Sequence, residues 1–531
     1  MPTGRDFAEA LIETANGTLR GRRDGEACSL KGVPYAADTS GCNRFRAPQP
    51  VQSWAGVRDA LAYGDRCLQT EEAIGRFPVL SWYAQYGPFS EDCCTLNVFT
   101  PGLHPGAERP VIFYIHGGGY SSGSSNGPAL DGSKLAAFGD VVVVTVNHRL
   151  NALGYTCLSH LHSEELDDAA NAGQLDLVAA LQWVQRNISA FGGDPGNVTL
   201  MGQSGGGNKI MVLLTMPGAR GLFRRAINMG GATGLRVLGP EQTQPYVDAL
   251  LQALGIRAGE QRKLQEVPVE VLQKARNAAM VAVRYDGAQP VVDGRHVMVS
   301  PFTPAGLALH ASVPLIMGTT DTEATLFLAS DRRNFLVHEA GLRARIQAQF
   351  QMDATRADAL IAAYRQDEPS RTPADVLCHL ASDVLSRGRM LGAVEAKANA
   401  GHAPVYLYNF TWKIPAEGGV WRSPHTVDIP FAFGTLDAAT AMVGDNLATA
   451  QETSRNLMSA FVAFARVGHP DNSRMPAWKP YDVKDRATMV VQENCRLAND
   501  FHGAARRACE PLLTGVQPTT LQRGALFRQP S

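Results

Sequence analysis

Asn197-Val198-Thr199-Leu200-Met201-Gly202-Gln203-Ser204-Gly205-Gly206-Gly207 decides how the rest of this chain is read. An apolar run of strand character enters a G-x-S-x-G turn, and Asn208 to Leu214 beyond it can be a helix. A serine on such a turn occupies a strained backbone position. Side chains at the flanking positions would collide with the adjoining strand and helix, so glycine is needed there. The hydroxyl then stands at the top of a sheet with a helix N-terminus beneath it, which favours the negative charge that develops in acyl transfer. Standing alone the motif is weak evidence, because 52 glycines make a chance match easy and a glycine-rich loop on a sheet edge is the plainer explanation. Its weight depends on partners elsewhere.

Outward from the turn, strands and helices alternate. Pro110 to Ile115, Val141 to Val146, Pro314 to Gly318 and Val405 to Phe410 are apolar runs of strand length. Gln174 to Val184, Val269 to Met280, Arg343 to Gln349, Ala374 to Ala398 and Ser454 to Val467 have helical spacing. The N-terminal part, with Thr18 to Gly21 and Cys28 to Val33, reads as short strands and turns, and Cys42 to Trp54 as an irregular surface segment. This pattern predicts an α/β fold with a mostly parallel sheet covered on both faces. It further predicts one catalytic domain over residues 1–531, with helical insertions at about 240–310 and 332–400.

The bulk numbers exclude several classes. The chain has 531 residues and a net charge of −1, so no field directs it to nucleic acid. Val141 to Val146, the most apolar run, is far too short to span a bilayer. Met1 to Ala15 lacks the apolar stretch of a signal peptide, and a cytoplasmic chain or a mature secreted or periplasmic one fits equally. The nine cysteines include no C-x-x-C pair, which argues against a zinc ribbon or a thioredoxin-type centre.

His116-Gly117-Gly118-Gly119 directly follows the strand ending at Ile115. Acyl transfer needs N–H donors aimed at the developing oxyanion, and glycines let the backbone approach closely enough to supply them. A triad in this arrangement continues with an acid and then a histidine. Just past the strand at 314–317, Asp321 and Glu323 both qualify as the acid, and pattern alone does not choose between them; either could instead cap the following helix. His425 lies late in the chain after a late strand, as the order requires. His116 is placed to support the glycine loop, and His148 reads as structural.

With these residues in view, the chain resembles the type-B carboxylesterase/cholinesterase family of α/β-hydrolases. The similar segments run from about residue 14 to about 500. They include Gly32-Val33-Pro34-Tyr35-Ala36, Arg44-Phe45-Arg46-Ala47-Pro48, Ser90-Glu91-Asp92-Cys93, Leu96-Asn97-Val98 and Phe191-Gly192-Gly193-Asp194-Pro195. The resemblance implies that Glu323 is the acid, that His425 before Phe431 and Phe433-Gly434 is the base, and that Gly118, Gly119 and Gly205 donate to the oxyanion. It also implies a disulfide between Cys67 and Cys93, with Cys94 next door making the pairing ambiguous. The chain departs from the family at the elbow, where Gln203 and Gly205 replace the usual Glu and Ala and a charge beside the nucleophile is lost. It departs again at Met229-Gly230-Gly231, where the family commonly has Gln-Ser-Gly, so a buried hydroxyl near the acid is absent.

The expectation is a serine carboxylic-ester hydrolase acting on a small-molecule ester as a monomer, needing no metal or organic cofactor and no membrane. Carbamates and amides suit the same triad, and a non-catalytic binding module of this fold is the reading from another class. Trp82, Tyr83, Tyr86, Trp412 and Trp421 are candidates for an apolar gorge, with core packing or surface exposure as the default for each. Lys413 and Arg422 raise the question of acidic substrates.

Overall fold

The structure is a computed structural model that describes residues 8–515, except 71–74, 76, 162–163, 233–236 and 285–286. Among the described residues thirteen strands form one sheet: β1 (Ala8–Thr14), β2 (Gly17–Asp24), β3 (Ala27–Pro34), β4 (Val57–Asp59), β5 (Thr95–Thr100), β6 (Arg109–Ile115), β7 (Val142–Val146), β8 (Gly193–Gln203), β9 (Arg225–Met229), β10 (Leu315–Thr320), β11 (Val405–Phe410), β12 (Thr488–Val491) and β13 (Arg496–Ala498). Their order is β1-β2-β3-β5-β7-β6-β8-β9-β10-β11-β12-β13, with β4 beside β2. From β7 to β12 every neighbouring pair is parallel, and antiparallel strands close both ends.

The apolar runs form the middle of this sheet because parallel strands there are covered on both faces. All of β7 is buried, as is β6 from Pro110 onward. Side chains alternate across the sheet. Val111, Phe113 and Ile115 of β6 pack in one core with Leu177, Leu181 and Val184 of α1 (Ala172–Asn187) and Ile210 and Met211 of α2 (Gly205–Leu213). Ile112 and Tyr114 face the other side and share a core with Leu457, Phe461 and Phe464 of a long helix, Leu447–Val467.

Two groups of helices interrupt the strand series. Pro240–Leu254 and Val269–Val283 lie between β9 and β10 and share a core with Phe45, Leu150, Leu153 and Tyr155. Between β10 and β11 come α3 (Glu339–Phe350), α4 (Ala354–Asp367), α5 (Pro373–Ser382) and α6 (Gly388–Asn399), with a π-helical turn, Asp383–Arg387, joining the last two. A short helix α7 (Gly503–Cys509) from the chain's last part packs against α4.

Two expectations need correction. The segment 42–54 is not wholly at the surface: Phe45 is fully buried, and so is the Arg44 guanidinium. Arg44 pairs with Glu91 (2.6 Å) and donates to the carbonyls of Leu264 (2.9 Å) and Val267 (2.6 Å). A charge that is paired and hydrogen-bonded on all three of its nitrogens tolerates such burial. The Cys67–Cys93 disulfide is not formed either. All nine cysteines are free, and the Cys93 thiol lies within hydrogen-bonding reach of both Cys67 and Cys94. Among the described residues no helix is long and apolar enough to cross a membrane.

Candidate active site

Strand β8 ends at Gln203 and α2 begins at Gly205, leaving Ser204 between them at φ 56°, ψ −121°. This is the left-handed region that side-chain-bearing residues avoid, and the surroundings hold the strain in place. The Ser204 amide donates to the Met229 carbonyl at the end of β9 (2.8 Å). One turn on, a Cβ at Gly206 would lie 1.9 Å from the Ile115 carbonyl oxygen, so only glycine lets α2 start this close to β6.

His425 Nε2 lies 2.8 Å from Ser204 Oγ, and its Nδ1 is hydrogen-bonded to Glu323 Oε2. An ionised carboxylate only accepts, so Nδ1 carries the proton and the Nε2 lone pair receives the serine O–H. Glu323 is almost fully buried, and its other oxygen accepts the Thr320 amide (2.8 Å). The loops bearing Glu323 and His425 are zipped together. Thr322 N donates to Ser423 O (3.0 Å), Ser423 N to Thr322 Oγ1 (3.1 Å), and His425 N to Glu323 O (3.3 Å). The ring of Phe327 lies 5.6 Å from that of His425.

The two departures at the elbow have visible consequences. Gln203 brings its amide nitrogen 3.4 Å from His425 Nε2, a neutral donor in the carboxylate's usual place. Gly205 sits so near the glycine loop that a Cβ would fall 2.3 Å from Gly119 O and 2.5 Å from Gly119 N. The backbones of Gly119 and Gly205 are thus direct neighbours beside Ser204, and Gly118 and Gly119 reach this position at φ 88° and 63°. Gly230, at the third departure, has φ 65°, and a Cβ there would meet Glu323 Oε1 at 3.0 Å. The hydroxyl absent from this sequence belongs to a position that touches the acid.

His116 and His148 are not at Ser204. Their rings stack at 4.8 Å behind the glycine loop, and each Nδ1 faces a backbone carbonyl. Burial and the nearby Lys209 charge push both well below the ordinary histidine range, so they remain neutral. Lys209, fully buried in α2, donates to the His116 carbonyl (3.2 Å). A lone lysine within Asn208 to Leu214 was the sequence signal for this contact.

Asp321, the other candidate acid, turns away from His425. Its two oxygens lie 3.1 Å from His379 Nε2 and 3.1 Å from His502 Nε2. Burial opposes its charge, but the two rings outweigh it and hold Asp321 well below the usual carboxylate range. Asp428 is the opposite case. It is buried, one oxygen accepts from Tyr408 Oη (3.1 Å), and the other has no partner among the described residues. Burial and then the Glu323 charge push it up to about 7. Neither environment was legible in the sequence, since each depends on residues far along the chain.

Beside the glycine loop, Trp82, Tyr83, Gln85, Tyr114, Leu130 and Ile429 line a narrow recess of about 20 Å³ that His116 and Gly117 also line. The Ser204 Cβ is 3.3 Å from where a Cβ of Gly117 would be, so this recess adjoins the nucleophile. No lysine, arginine, aspartate or glutamate lines it. Trp412 and Trp421 are core residues instead, and Tyr86 is exposed. Arg422 is committed to Asp375 (2.6 Å) and the Val420 carbonyl (2.6 Å), and Lys413 is exposed.

A sequence model described as the carboxylesterase family matches residues 8–507. The para-nitrobenzyl esterase of Bacillus subtilis (strain 168) is 34% identical over 94% of this chain and 98% of its own length. The phenmedipham hydrolase of Pseudarthrobacter oxydans is 32% identical over 92% and 97%. Among solved structures, an esterase from anaerobic Clostridium hathewayi that can hydrolyze aliphatic aromatic polyesters superposes with a TM-score of 0.83 at 32% identity, covering 96% of this chain and 100% of that one. A thermophilic PNB esterase gives 0.79 at 32%, covering 94% and 99%.

Proposed function

The chain belongs to the carboxylesterase family and has its α/β-hydrolase fold, and from that premise we propose that it hydrolyses neutral carboxylic esters through an acyl-enzyme on Ser204. The single observation that carries this reading is the continuous chain Ser204 Oγ, His425, Glu323, with the imidazole lone pair on the serine side. His425 Nε2 takes the hydroxyl proton as Oγ attacks the ester carbonyl. Glu323 holds the ring in the required tautomer and stabilises the imidazolium that forms. The amides of Gly118, Gly119 and Gly205 receive the oxyanion, His425 protonates the departing alcohol, and the same ring then activates water to release the acid.

Trp82, Tyr83, Tyr114 and Leu130 bring no charged side chain to the recess beside the glycine loop, which favours an uncharged ester there. Arg422 is already neutralised by Asp375, which favours neutral over acidic substrates.

The test is hydrolysis of p-nitrophenyl esters from acetyl to decanoyl, with a fluorophosphonate probe and the Ser204→Ala variant. The expected result is covalent labelling at Ser204 and a loss of about 10⁴ or more in kcat/KM for a folded Ser204→Ala protein. Near-native turnover in that variant, or a folded wild type that neither turns over nor labels, defeats the proposal.

A further inference from the structure

We propose that Asp321, His379 and His502 form a binding site for one divalent transition metal of the zinc class, separate from Ser204. The three donor groups converge from distant parts of the chain: the turn after β10, helix α5, and the residue just before α7. His379 Nδ1 lies 2.8 Å from the Asp375 carbonyl oxygen, one helical turn back. A carbonyl only accepts, so Nδ1 carries the hydrogen and a neutral ring leaves its lone pair on Nε2. That lone pair points at Asp321 Oδ2, 3.1 Å away, and the carboxylate is also an acceptor. Two acceptors face to face need an electrophile between them, either a second proton on the ring or a metal ion. A histidine whose Nδ1–H is anchored to a backbone carbonyl while Nε2 faces a carboxylate is oriented as metal-ligating histidines are.

His502 completes the set from the other side, with Nε2 3.1 Å from Asp321 Oδ1. Its ring is held between Phe501, 3.9 Å away by centroid, and the Arg371 guanidinium, which lies almost equally far from both ring nitrogens (3.2 and 3.3 Å) and so spans the ring instead of capping Nε2. The cations nearby have partners of their own. Arg371 donates to the Tyr364 carbonyl (2.8 Å) and pairs with Glu368 (3.5 Å), and Arg387 pairs with Asp383 (3.1 Å). Asp321 is thus a buried carboxylate whose hydrogen-bonding partners are two imidazoles, with no lysine or arginine on either oxygen among the described residues.

Two imidazoles and one carboxylate are a donor set that zinc and its neighbours accept, with the fourth position left to solvent. The three donor atoms lie within 4.8 Å of one another. Zinc at 2.0–2.1 Å from each needs them about 3.3 Å apart, so the widest separation has to shorten by no more than about 1.5 Å. His502 keeps about an eighth of its side chain exposed (12%), which provides an entry path. The metal would tie the acid-bearing turn to the helical insertion and to the chain's last helix, without touching the reacting atoms.

The experiment uses the full chain, stripped with a chelator and titrated with Zn²⁺ by calorimetry and with Co²⁺ by visible spectroscopy. The proposal expects one equivalent bound, a rise in Tm with Zn²⁺, and cobalt bands of a nitrogen–oxygen site lacking the sulfur charge-transfer band that the free cysteines would give. His379→Gln and His502→Gln, each checked for folding by circular dichroism, are expected to weaken Zn²⁺ binding at least about tenfold. No binding by folded wild type, a sulfur-ligated cobalt spectrum, or affinity unchanged in both variants overturns it. None of these readouts depends on esterase activity, so failure of the metal site and failure of the esterase reading are told apart.

Discussion

Glu323 and Asp321 stand two residues apart on one turn, both buried carboxylates held by histidine, yet they belong to different machines. Glu323 has one imidazole, His425, whose far nitrogen opens onto the Ser204 hydroxyl. Asp321 has two imidazoles, one on each oxygen, and neither leads to Ser204. The first arrangement leads on to a hydroxyl, and the second joins three distant segments of the chain. Asp428, close to Glu323, shows what happens with no such partner: the same residue type rises to about 7, while Asp321 is driven down. What a buried carboxylate does is decided by the groups the fold brings to it.

Glu323→Gln is the largest expected effect that can break this comparison. It leaves the imidazole in the wrong tautomer, and kcat should fall by about 10³ to 10⁴ in steady-state ester hydrolysis. If Asp321→Asn costs more activity than Glu323→Gln, the roles assigned to the two residues are reversed. Next is Gly205→Ala, which installs the family's usual residue where a Cβ would meet Gly119 at 2.3–2.5 Å. The glycine loop must retreat, and kcat should drop by about 10² through one displaced oxyanion donor, with KM little changed; unaltered kcat would show that the loop is not held against Gly205. Asp321→Asn should act on the fold instead, lowering unfolding free energy in urea by about 3 kcal/mol because two buried rings lose their carboxylate.

The smallest effect on rate is expected of Asp428→Asn, which sharpens the comparison through pH. The folded Asp428 binds its proton more tightly than an unfolded carboxyl of pKa about 4. Its contribution to stability is therefore fully present below that value and lost as pH rises through about 7. The variant lacks this loss, so its Tm relative to wild type should increase between pH 4 and pH 8. A constant difference across that window would mean that Asp428 is ionised throughout.

The legible parts were those written in local pattern. Val405–Phe410 is a strand with the limits its apolar run announced, and the runs at 110–115 and 141–146 became the buried centre of the sheet. Short strands such as Thr488–Val491 escaped notice because four residues carry little periodic signal. Cys42 to Trp54 was misread because two prolines say nothing about whether a neighbouring Arg44 finds Glu91 and two carbonyls.

By itself the sequence determined the elbow, the glycine loop, the alternation of strand and helix, and the order in which Ser204, Glu323 and His425 occur. These are properties of neighbouring residues, dictated by backbone sterics and side-chain period. Only the tertiary structure decided which of Asp321 and Glu323 faces His425, that His379 and His502 converge on the one left over, and that Gly119 crowds Gly205. Those relations join residues from 58 to 181 positions apart. Hydrogen-bond direction and burial act over a few ångströms in space, and spacing along the chain does not record them.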